Sequence, residues 1–309
     1  METCKPKVSV ISLSLNLATF VRPTMESIIA QDYPNIDIIV MDGGSIDGTH
    51  EALDEFNGLK KFIQAGDGPK NALLDGIKKS SGELIMFMFV SDSYANIKWI
   101  STCVEELNRS PDVSLCWGLP RYMSEDGSIG RVSYPELLNK TDLSRRQDFV
   151  RWLATGVQFP EMNMCTRREV IDKILHDFDP HDSSIDIFLE FTKRFHMDGY
   201  MSKFIPTVAN YGRLHSGQLG SIERTTGLLS TRERNYRSGR LLYARRILCS
   251  SQQHQFRLPN GAPVGVLTLG FADRIWIGFL IIVNESKRAF IKAAIAAKAR
   301  GLRVRSYKF

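Results

Sequence analysis

The sequence predicts an α/β protein with a doubly wound, mostly parallel sheet, followed by a helical, basic C-terminal extension. Up to Tyr94, short apolar segments alternate with helical ones in the order β-α-β-α-β-α-β, the pattern of right-handed βαβ crossovers. The apolar run Leu84–Val90 is too short to cross a membrane and suits a strand buried on both faces. After residue 223 the chain becomes rich in arginine and lysine, which marks the extension.

The first half of the chain contains four predicted strands. Lys7–Ser14 is apolar and β-branched, which predicts the first strand, and the apolar spacing in Phe20–Gln31 predicts the helix after it. Further strands are predicted at Ile36–Met41, Lys60–Gln64 and Glu83–Val90, with helices at residues 50–57 and 70–80.

Three acidic loops follow these strands, near Asp42, Asp67 and Asp92. The carboxyl ends of parallel strands meet at one edge of a sheet, and ligands bind in the crevice beyond that edge. We therefore expect the three loops to face a ligand. Turns also favour Asp and Gly for conformational reasons alone, and this second interpretation stays open at this point.

The second half is less regular. Helices are predicted at Ile97–Asn108, Leu143–Ala154, Arg167–Leu175 and Ile185–Phe195, strands at Val113–Trp117 and Met201–Ala209, a hairpin at Leu119–Ser133, and a polar loop at Asn210–Ser221.

The C-terminal extension combines an apolar segment with a basic one. Leu228–Leu248 is predicted to be helical, residues 252–264 to be a break, and Leu267–Val283 to be an apolar helix with one tryptophan. The segment from Glu285 to Phe309 then carries many lysines and arginines and a single acid. This pattern is typical of peripheral contact with an anionic membrane through residues 264–309, and also of an ordinary helix pair with a solvated basic face. Nucleic acid is not expected as a partner, because the aromatic residues are not interleaved with the charges.

The five cysteines are widely spaced and form no C-x-x-C pair. This spacing argues against a disulfide framework or structural zinc and indicates a reducing compartment. The N-terminus is too polar for a signal peptide, and the apolar helix is interrupted by Asp273 and Arg274. The expected location is therefore cytoplasmic, at the inner face of the cell membrane.

Three segments together resemble a known family. VSVISLSLNLATF, IIAQDYPNIDIIVMDGGSIDGT and DGPKNALLDGIKKSSGELIMFMFVSDSY are similar, in this order and spacing, to glycosyltransferase family 2. The resemblance is strong over Lys7–Asn108 and weaker over Gln158–Ser221. It implies the GT-A fold and an inverting transferase that uses a nucleotide-sugar donor. It divides the chain into a GT-A domain at residues 1–222, with a donor-binding half at 1–109 and an acceptor-binding half at 110–222, and a helical region at 223–309.

The resemblance also implies the donor and metal sites. The metal, Mg²⁺ or Mn²⁺, is expected at Asp92 and His215, where one carboxylate stands in place of the family's usual acidic pair. The loop after the first strand lacks the family's aromatic residue. The residues expected to bind the nucleotide sugar are Ser14, Asn16, Asp42, Asp67, Gly68, Asn71 and Ser91.

The general base is the part of the pattern where this sequence departs from the family. Where relatives have an Asp that opens a helix, this sequence has Ser184, which cannot act as a base unaided. Asp186 and Asp182 are the two candidates for the role. Asp186 also has the capping-box spacing from Ser183, so a purely structural role at the helix start is equally compatible with the sequence.

The sequence thus favours sugar transfer to a lipid-linked or other saccharide acceptor in bacterial surface polysaccharide synthesis. The losses of acidic residues leave a second hypothesis, a non-catalytic nucleotide-sugar-binding scaffold. A nucleotidyltransferase is a third, disfavoured because the first loop lacks glycines and cations.

Overall fold

A single sheet organises the chain. The computed structural model describes residues 5–64, 68–133, 143–216, 218, 228–250 and 253–299. Within them the main sheet has nine strands in the order β3-β2-β1-β4-β8-β6-β9-β5, with β7 paired to β6. The strands are β1 Val8–Ser14, β2 Ile36–Asp42, β3 Leu59–Ile63, β4 Leu84–Phe87, β5 Ser93–Tyr94, β6 Leu115–Ser124, β7 Ile129–Val132, β8 Cys165–Arg167 and β9 Ser202–Leu214.

Helices cover both faces of this sheet and extend beyond it. The predicted α/β class and the helical C-terminal part are confirmed. The helices are α1 Ala18–Ile29, α2 Thr49–Asp54, α3 Gly68–Lys79, α4 Trp99–Arg109, α5 Arg145–Thr155, α6 Arg168–Leu175, α7 Ile187–Met197, α8 Leu228–Cys249 and α9 Phe271–Ala299.

The four strands β3, β2, β1 and β4 run parallel, as the alternation of elements predicts. Their side chains are buried because helices pack on both faces, and two large apolar clusters lie on the two sides of the sheet. Ser14 pairs with Asp42 in the register of β1 and β2, so these strand ends lie side by side. The loops after β1, β2 and β4 therefore meet at one edge.

The apolar run after β4 extends beyond the regular strand. β4 ends at Phe87, three residues earlier than predicted, yet the backbone N–H groups of Met88 and Val90 still donate to the carbonyls of Ile11 and Leu13 at 3.1 and 3.0 Å. The chain thus follows β1 to the sheet edge and delivers the turn Ser91–Ser93 there.

The second half of the sheet is mixed. β8 is antiparallel to β4 and β6, whereas β6 and β9 are parallel. The predicted hairpin between β6 and β7 is confirmed. The polar loop predicted from Asn210 is wrong in its first part, because β9 continues to Leu214, where it pairs with β6 and with the short β5.

The C-terminal helices pack on the rest of the chain. Tyr243 and Ile247 of α8 and Ile277 of α9 share a buried cluster with Phe149 and Trp152 of α5. The predicted break between the helices holds a two-stranded hairpin, β10 His254–Arg257 and β11 Pro263–Leu267, which the sequence did not suggest. In the described part of the chain, no helix is long and apolar enough to cross a membrane. The division at residue 222 stays a prediction.

Candidate active site

Asp42, at the end of β2, is completely buried and is held by four hydrogen bonds and a close contact with His50. Its Oδ1 accepts from the backbone N–H groups of Gly44 and Ser45, at 2.9 and 2.8 Å, and lies 3.0 Å from His50 Nε2. Its Oδ2 accepts from the hydroxyls of Ser14 and Ser45. Burial alone would raise the pKa of Asp42, but the hydrogen bonds from Ser14 and Ser45 outweigh it and hold the pKa below its ordinary value.

The loop after β1 is joined to the loop after β2. Asn16 has a positive φ of 53°, its N–H donates to Ser45 Oγ at 2.8 Å, and its side-chain oxygen accepts from the N–H of Ile46 at 2.9 Å. Asp47 accepts from the N–H of Ala18 at 3.0 Å. Ser14, Asn16 and Asp42, three of the predicted donor-site residues, are therefore brought together.

Asp92, in the turn after β4, is also buried but has few partners. It is 9% exposed, and its Oδ1 accepts from the backbone N–H of Arg213 at 2.8 Å. Burial raises the pKa of Asp92 to about 7, although the N–H and the positive charge of Arg213 oppose this. The carboxylate therefore has one oxygen that no hydrogen bond from the described residues satisfies.

The turn that carries Asp92 is strained and held from two sides. Ser91 has a φ of 114°, a region that L-residues rarely adopt. Thr24 of α1 bridges the turn, since its hydroxyl accepts from the N–H of Ser91 at 3.2 Å and donates to the carbonyl of Asp92 at 2.6 Å. Arg213 Nε donates to the carbonyl of Ser91 at 3.0 Å. Neither Thr24 nor Arg213 was identified from the sequence as a support for this turn.

Arg213 and His215 come from the end of β9. The Arg213 guanidinium is buried, donates to the carbonyls of Ser124 and Glu125, and lies over the ring of Phe20 at 5.1 Å. His215 lies beside the same ring, and the centroid of its imidazole is 5.1 Å from that of Phe20. Burial lowers the pKa of His215, which favours the neutral imidazole that a metal requires.

The residues present fit a metal that takes most of its ligands from elsewhere. Within the described residues, no three His, Cys, Asp or Glu side chains come together as a metal-binding group. Mg²⁺ is usually bound by one or two carboxylates together with substrate phosphates and waters. The unsatisfied oxygen of Asp92 meets that requirement only if a diphosphate completes the site.

The two candidate bases lie on one loop before α7. Asp186 is the N-cap of α7, and its Oδ1 accepts from the N–H groups of Phe188 and Leu189 at 2.9 and 3.0 Å. Asp186 therefore has a structural role at the helix start, but as the N-cap itself and not as the third residue of a capping box that begins at Ser183. Asp182 is half-buried and accepts from both the hydroxyl and the N–H of Ser184, which hold its pKa below the ordinary value.

Lys70 connects this loop to the donor side of the sheet. Its Nζ donates to the carbonyls of Asp182 and Ile185. Lys70 lies in the first turn of α3, which begins at Gly68 with a φ of 83°. Asn71 follows in the same turn and is half-buried, whereas Asp67 lies outside the described residues.

Comparisons with known proteins bear on the family and the fold of this chain. A family model described as Glycosyl transferase family 2 matches residues 9–175, more than half of the chain. The chain is 26% identical over 129 residues to a poly-beta-1,6-N-acetyl-D-glucosamine synthase of Staphylococcus epidermidis, covering 40% of the chain and 31% of that protein. It is 34% identical over 119 residues to an uncharacterized glycosyltransferase of Mycobacterium tuberculosis, covering 38% and 45%. The chain thus matches less than half of the length of either relative.

Solved structures share the fold over a larger part of the chain. A mannosyltransferase from Pyrobaculum calidifontis, in complex with GDP-Man and Mn²⁺, superposes with a TM-score of 0.60 at 17% identity, covering 98% of this chain and 77% of that one. S. aureus TarS in complex with UDP-GlcNAc superposes with a TM-score of 0.58 at 16% identity, covering 88% and 70%. These similarities establish the GT-A fold.

Proposed function

Because the chain belongs to glycosyl transferase family 2, we propose that it moves a sugar from a nucleoside diphosphate donor to an acceptor hydroxyl with inversion. The observation that carries the proposal is the pair of buried aspartates, Asp42 and Asp92, which follow the two strands that flank β1 at the carboxyl edge of the sheet. That edge is where open α/β sheets bind ligands. The nucleotide sugars in complex with the two structural neighbours, GDP-Man and UDP-GlcNAc, support a donor of the same class.

The transfer needs a group that removes the proton of the attacking hydroxyl. Asp186 is suited to this role through Oδ2, because Oδ1 is engaged at the start of α7. Asp182 is the alternative, since it lies on the same loop and its lowered pKa keeps it ionised. In either case the attacking oxygen forms its bond to the anomeric carbon on one face while the bond to the diphosphate oxygen breaks on the other.

Asp92 would hold Mg²⁺ or Mn²⁺ through its unsatisfied oxygen, with His215 as a second ligand from the end of β9. When bound, such a cation offsets the negative charge that develops on the leaving diphosphate. The role of this chain's own residues is to orient the carboxylate: Thr24 and Arg213 fix the turn that presents it.

The acceptor is proposed to be lipid-linked, because α9 presents an apolar row to solvent. Phe271, Ile275, Trp276, Phe279 and Ile282 are each 53% to 81% exposed and follow helical spacing. We call these five residues the α9 row. A large exposed apolar surface is unusual on a soluble monomer and marks an interaction site. The sequence from Glu285 onward adds many cations and one acid, which suits an anionic lipid surface at the inner face of the membrane.

The donor proposal is tested by thermal unfolding of the whole chain with UDP-GlcNAc and with GDP-mannose, each with Mn²⁺. A ligand that binds the folded state raises the unfolding midpoint by mass action. We expect one of the two to raise the midpoint and to be hydrolysed slowly, with release of UDP or GDP. Binding without any hydrolysis or transfer would instead favour the non-catalytic scaffold, and no shift with either nucleotide sugar would contradict the donor site.

The membrane proposal is tested with vesicles, using Trp276 as the reporter. The other three tryptophans, Trp99, Trp117 and Trp152, are completely buried, so a blue shift of fluorescence reports on Trp276. We expect the shift with phosphatidylglycerol vesicles and not with phosphatidylcholine alone, and we expect Phe279→Glu to abolish it. Ile97→Glu, at an equally exposed apolar position far along the chain, is the matched control. Binding that is unchanged in Phe279→Glu would contradict the proposal.

A further inference from the structure

A pocket lies between the loop before α7 and the C-terminal helix α8. Its volume is about 150 Å³, and its walls include Asp186, Leu189 and Lys193 on one side and Arg232, Asn235 and Tyr236 on the other. A single water needs ~15 Å³ by the same measure, so the space is that of a small ring compound rather than of an isolated water. Three of the nine residues that line this pocket lie beyond residue 222, and all nine lie outside the segment 9–175 that the family model matches.

The wall formed by α8 is attached to the loop of the candidate bases. Arg232 Nε donates to the carbonyl of Ser183, and Asn235 Nδ2 donates to the carbonyl of Ser184, both at 3.0 Å. On the opposite side, Lys70 donates to the same loop. The loop is therefore held by α3 and by α8, and Asp186 at its end lines the pocket.

The charges that line the pocket cancel. Lys193 Nζ lies 2.5 Å from Glu190, and Arg232 Nη1 lies 4.0 Å from Asp186 Oδ2. A ligand with a net charge, such as a phosphate or a metal ion, would therefore be attracted by one member of each pair and repelled by the other. A neutral ligand with many hydroxyl groups can donate to the carboxylates and accept from the cations and from Asn235.

The remaining wall is apolar and rigid. Leu189 and Tyr236 are 9% and 4% exposed. The Tyr236 hydroxyl accepts from Trp152 Nε1 at 3.0 Å and donates to the carbonyl of Val157 at 3.3 Å, which fixes the ring in place. A pocket with polar groups on some walls and an aliphatic and aromatic surface on another matches a sugar ring, which has hydroxyls at its rim and C–H groups on its faces.

We propose that this pocket binds a neutral pyranose ring of the acceptor, with Asp186 at its border and with Arg232 and Asn235 of α8 as binding residues. The inference rests on the proposed function, because it takes Asp186 to be adjacent to the reacting hydroxyl. It assigns to the C-terminal region a direct part in acceptor recognition, in addition to the lipid contact of the α9 row.

The probes are the methyl glycosides of glucose, galactose, mannose and N-acetylglucosamine. Their binding to the whole chain is measured by saturation-transfer NMR. The measurement is made with and without UDP and Mn²⁺. We expect at least one glycoside to give a signal, and Asn235→Leu to weaken its binding at least tenfold, because the change removes a donor and narrows the pocket. Arg232→Gln is the second variant, with a weakening of similar size.

Arg245→Gln is the matched control, since it removes a cation from an exposed position of the same helix. It should leave glycoside binding within twofold of the wild type. Unchanged binding in both pocket variants, or no signal from any glycoside with the wild type, would overturn the inference. A failure of the donor-binding proposal is detected separately, because nucleotide sugars would then give no thermal shift.

Discussion

Two aspartates follow the strands on either side of β1, and their surroundings are opposite. Asp42 accepts four hydrogen bonds and lies beside His50, and its pKa is held below the ordinary value. Asp92 has one backbone donor on its carboxylate, and burial raises its pKa to about 7. The first carboxylate is satisfied by the protein itself, whereas the second is buried at a cost that a bound cation would remove.

The difference separates two kinds of residue that look alike in a motif. Asp42 joins the loops after β1 and β2. Its contribution to the proposed donor site is therefore to fix the shape of those loops and the positions of His50 and Ser45. Asp92 has one oxygen that accepts no hydrogen bond from the described residues, so its contribution is chemical. The following predictions test this contrast.

The largest expected effect is on stability, from Asp42→Ala. The change leaves two backbone N–H groups, two hydroxyls and His50 without their acceptor in a buried site. Removal of one partner from a buried charged network is expected to lower the free energy of unfolding by about 3–5 kcal/mol. Urea unfolding measures it, and a loss below ~1 kcal/mol would contradict the structural role of Asp42. Asp42→Asn, which keeps the shape, should lose less.

The ionisation of Asp92 should make the stability of the protein depend on pH. Because its pKa in the folded chain is about 7 and the ordinary value is 3.8, the folded state binds the proton more tightly. In EDTA the free energy of unfolding should therefore fall as pH rises from about 4 to about 7, by at most about 4 kcal/mol. Asp92→Asn removes the titration, so wild type minus variant isolates this contribution. If the difference in free energy of unfolding between wild type and variant does not change over this pH range, the raised pKa of Asp92 is contradicted.

Asp92→Asn is also expected to lower metal-stimulated transfer or donor hydrolysis by roughly 100-fold, comparable to the loss of one electrostatic contact in a transition state. Because the carboxamide carries no charge, the variant should remain folded and lose its response to Mn²⁺ altogether. Activity assayed over a range of Mn²⁺ concentrations makes this distinction. A variant that keeps a normal response at higher Mn²⁺ would show that Asp92 is not the metal ligand.

The smallest effect is expected from Thr24→Val. The change keeps the size of the side chain and removes both hydrogen bonds that Thr24 makes to the strained turn. Loss of two such bonds is expected to lower stability by ~1–3 kcal/mol, and the looser carboxylate should lower metal-stimulated activity about tenfold. Thr24→Ser restores the hydroxyl and should recover the Mn²⁺ response. Equal responses in Val and Ser variants would indicate that Thr24 only fills space.

The order of elements in the first half could be predicted because local signals suffice there. The buried parallel strands are apolar along their whole length, and the helices between them are amphipathic, so both periodicities are visible in the sequence. The end of β9 was missed because Asn210 and Tyr211 are polar or amphipathic and become strand only through pairing with β5 and β6. The hairpin β10–β11 was missed because proline and glycine in that segment indicate a break.

The site could be predicted only as far as its motifs extend. Asp42 and Asp92 were found because acids follow strands, but their different states depend on partners distant in sequence. Arg213, which supports the turn at Ser91, lies 122 positions away, and Thr24 lies 67 positions away. No local pattern distinguishes these residues from ordinary ones. The pocket beside Asp186 likewise depends on α8 folding back onto α7.

The seam between α5 and the C-terminal helices has a practical consequence for anyone who shortens this protein. Phe149 is 3% exposed and Trp152 is completely buried, and both are covered by Tyr243, Ile247 and Phe256. A truncated protein ending at residue 222 would keep every residue of the family match and still present these two rings to water. Exposed aromatic surface of this kind promotes aggregation. Soluble expression of the recognisable part therefore depends on the part that no family motif describes.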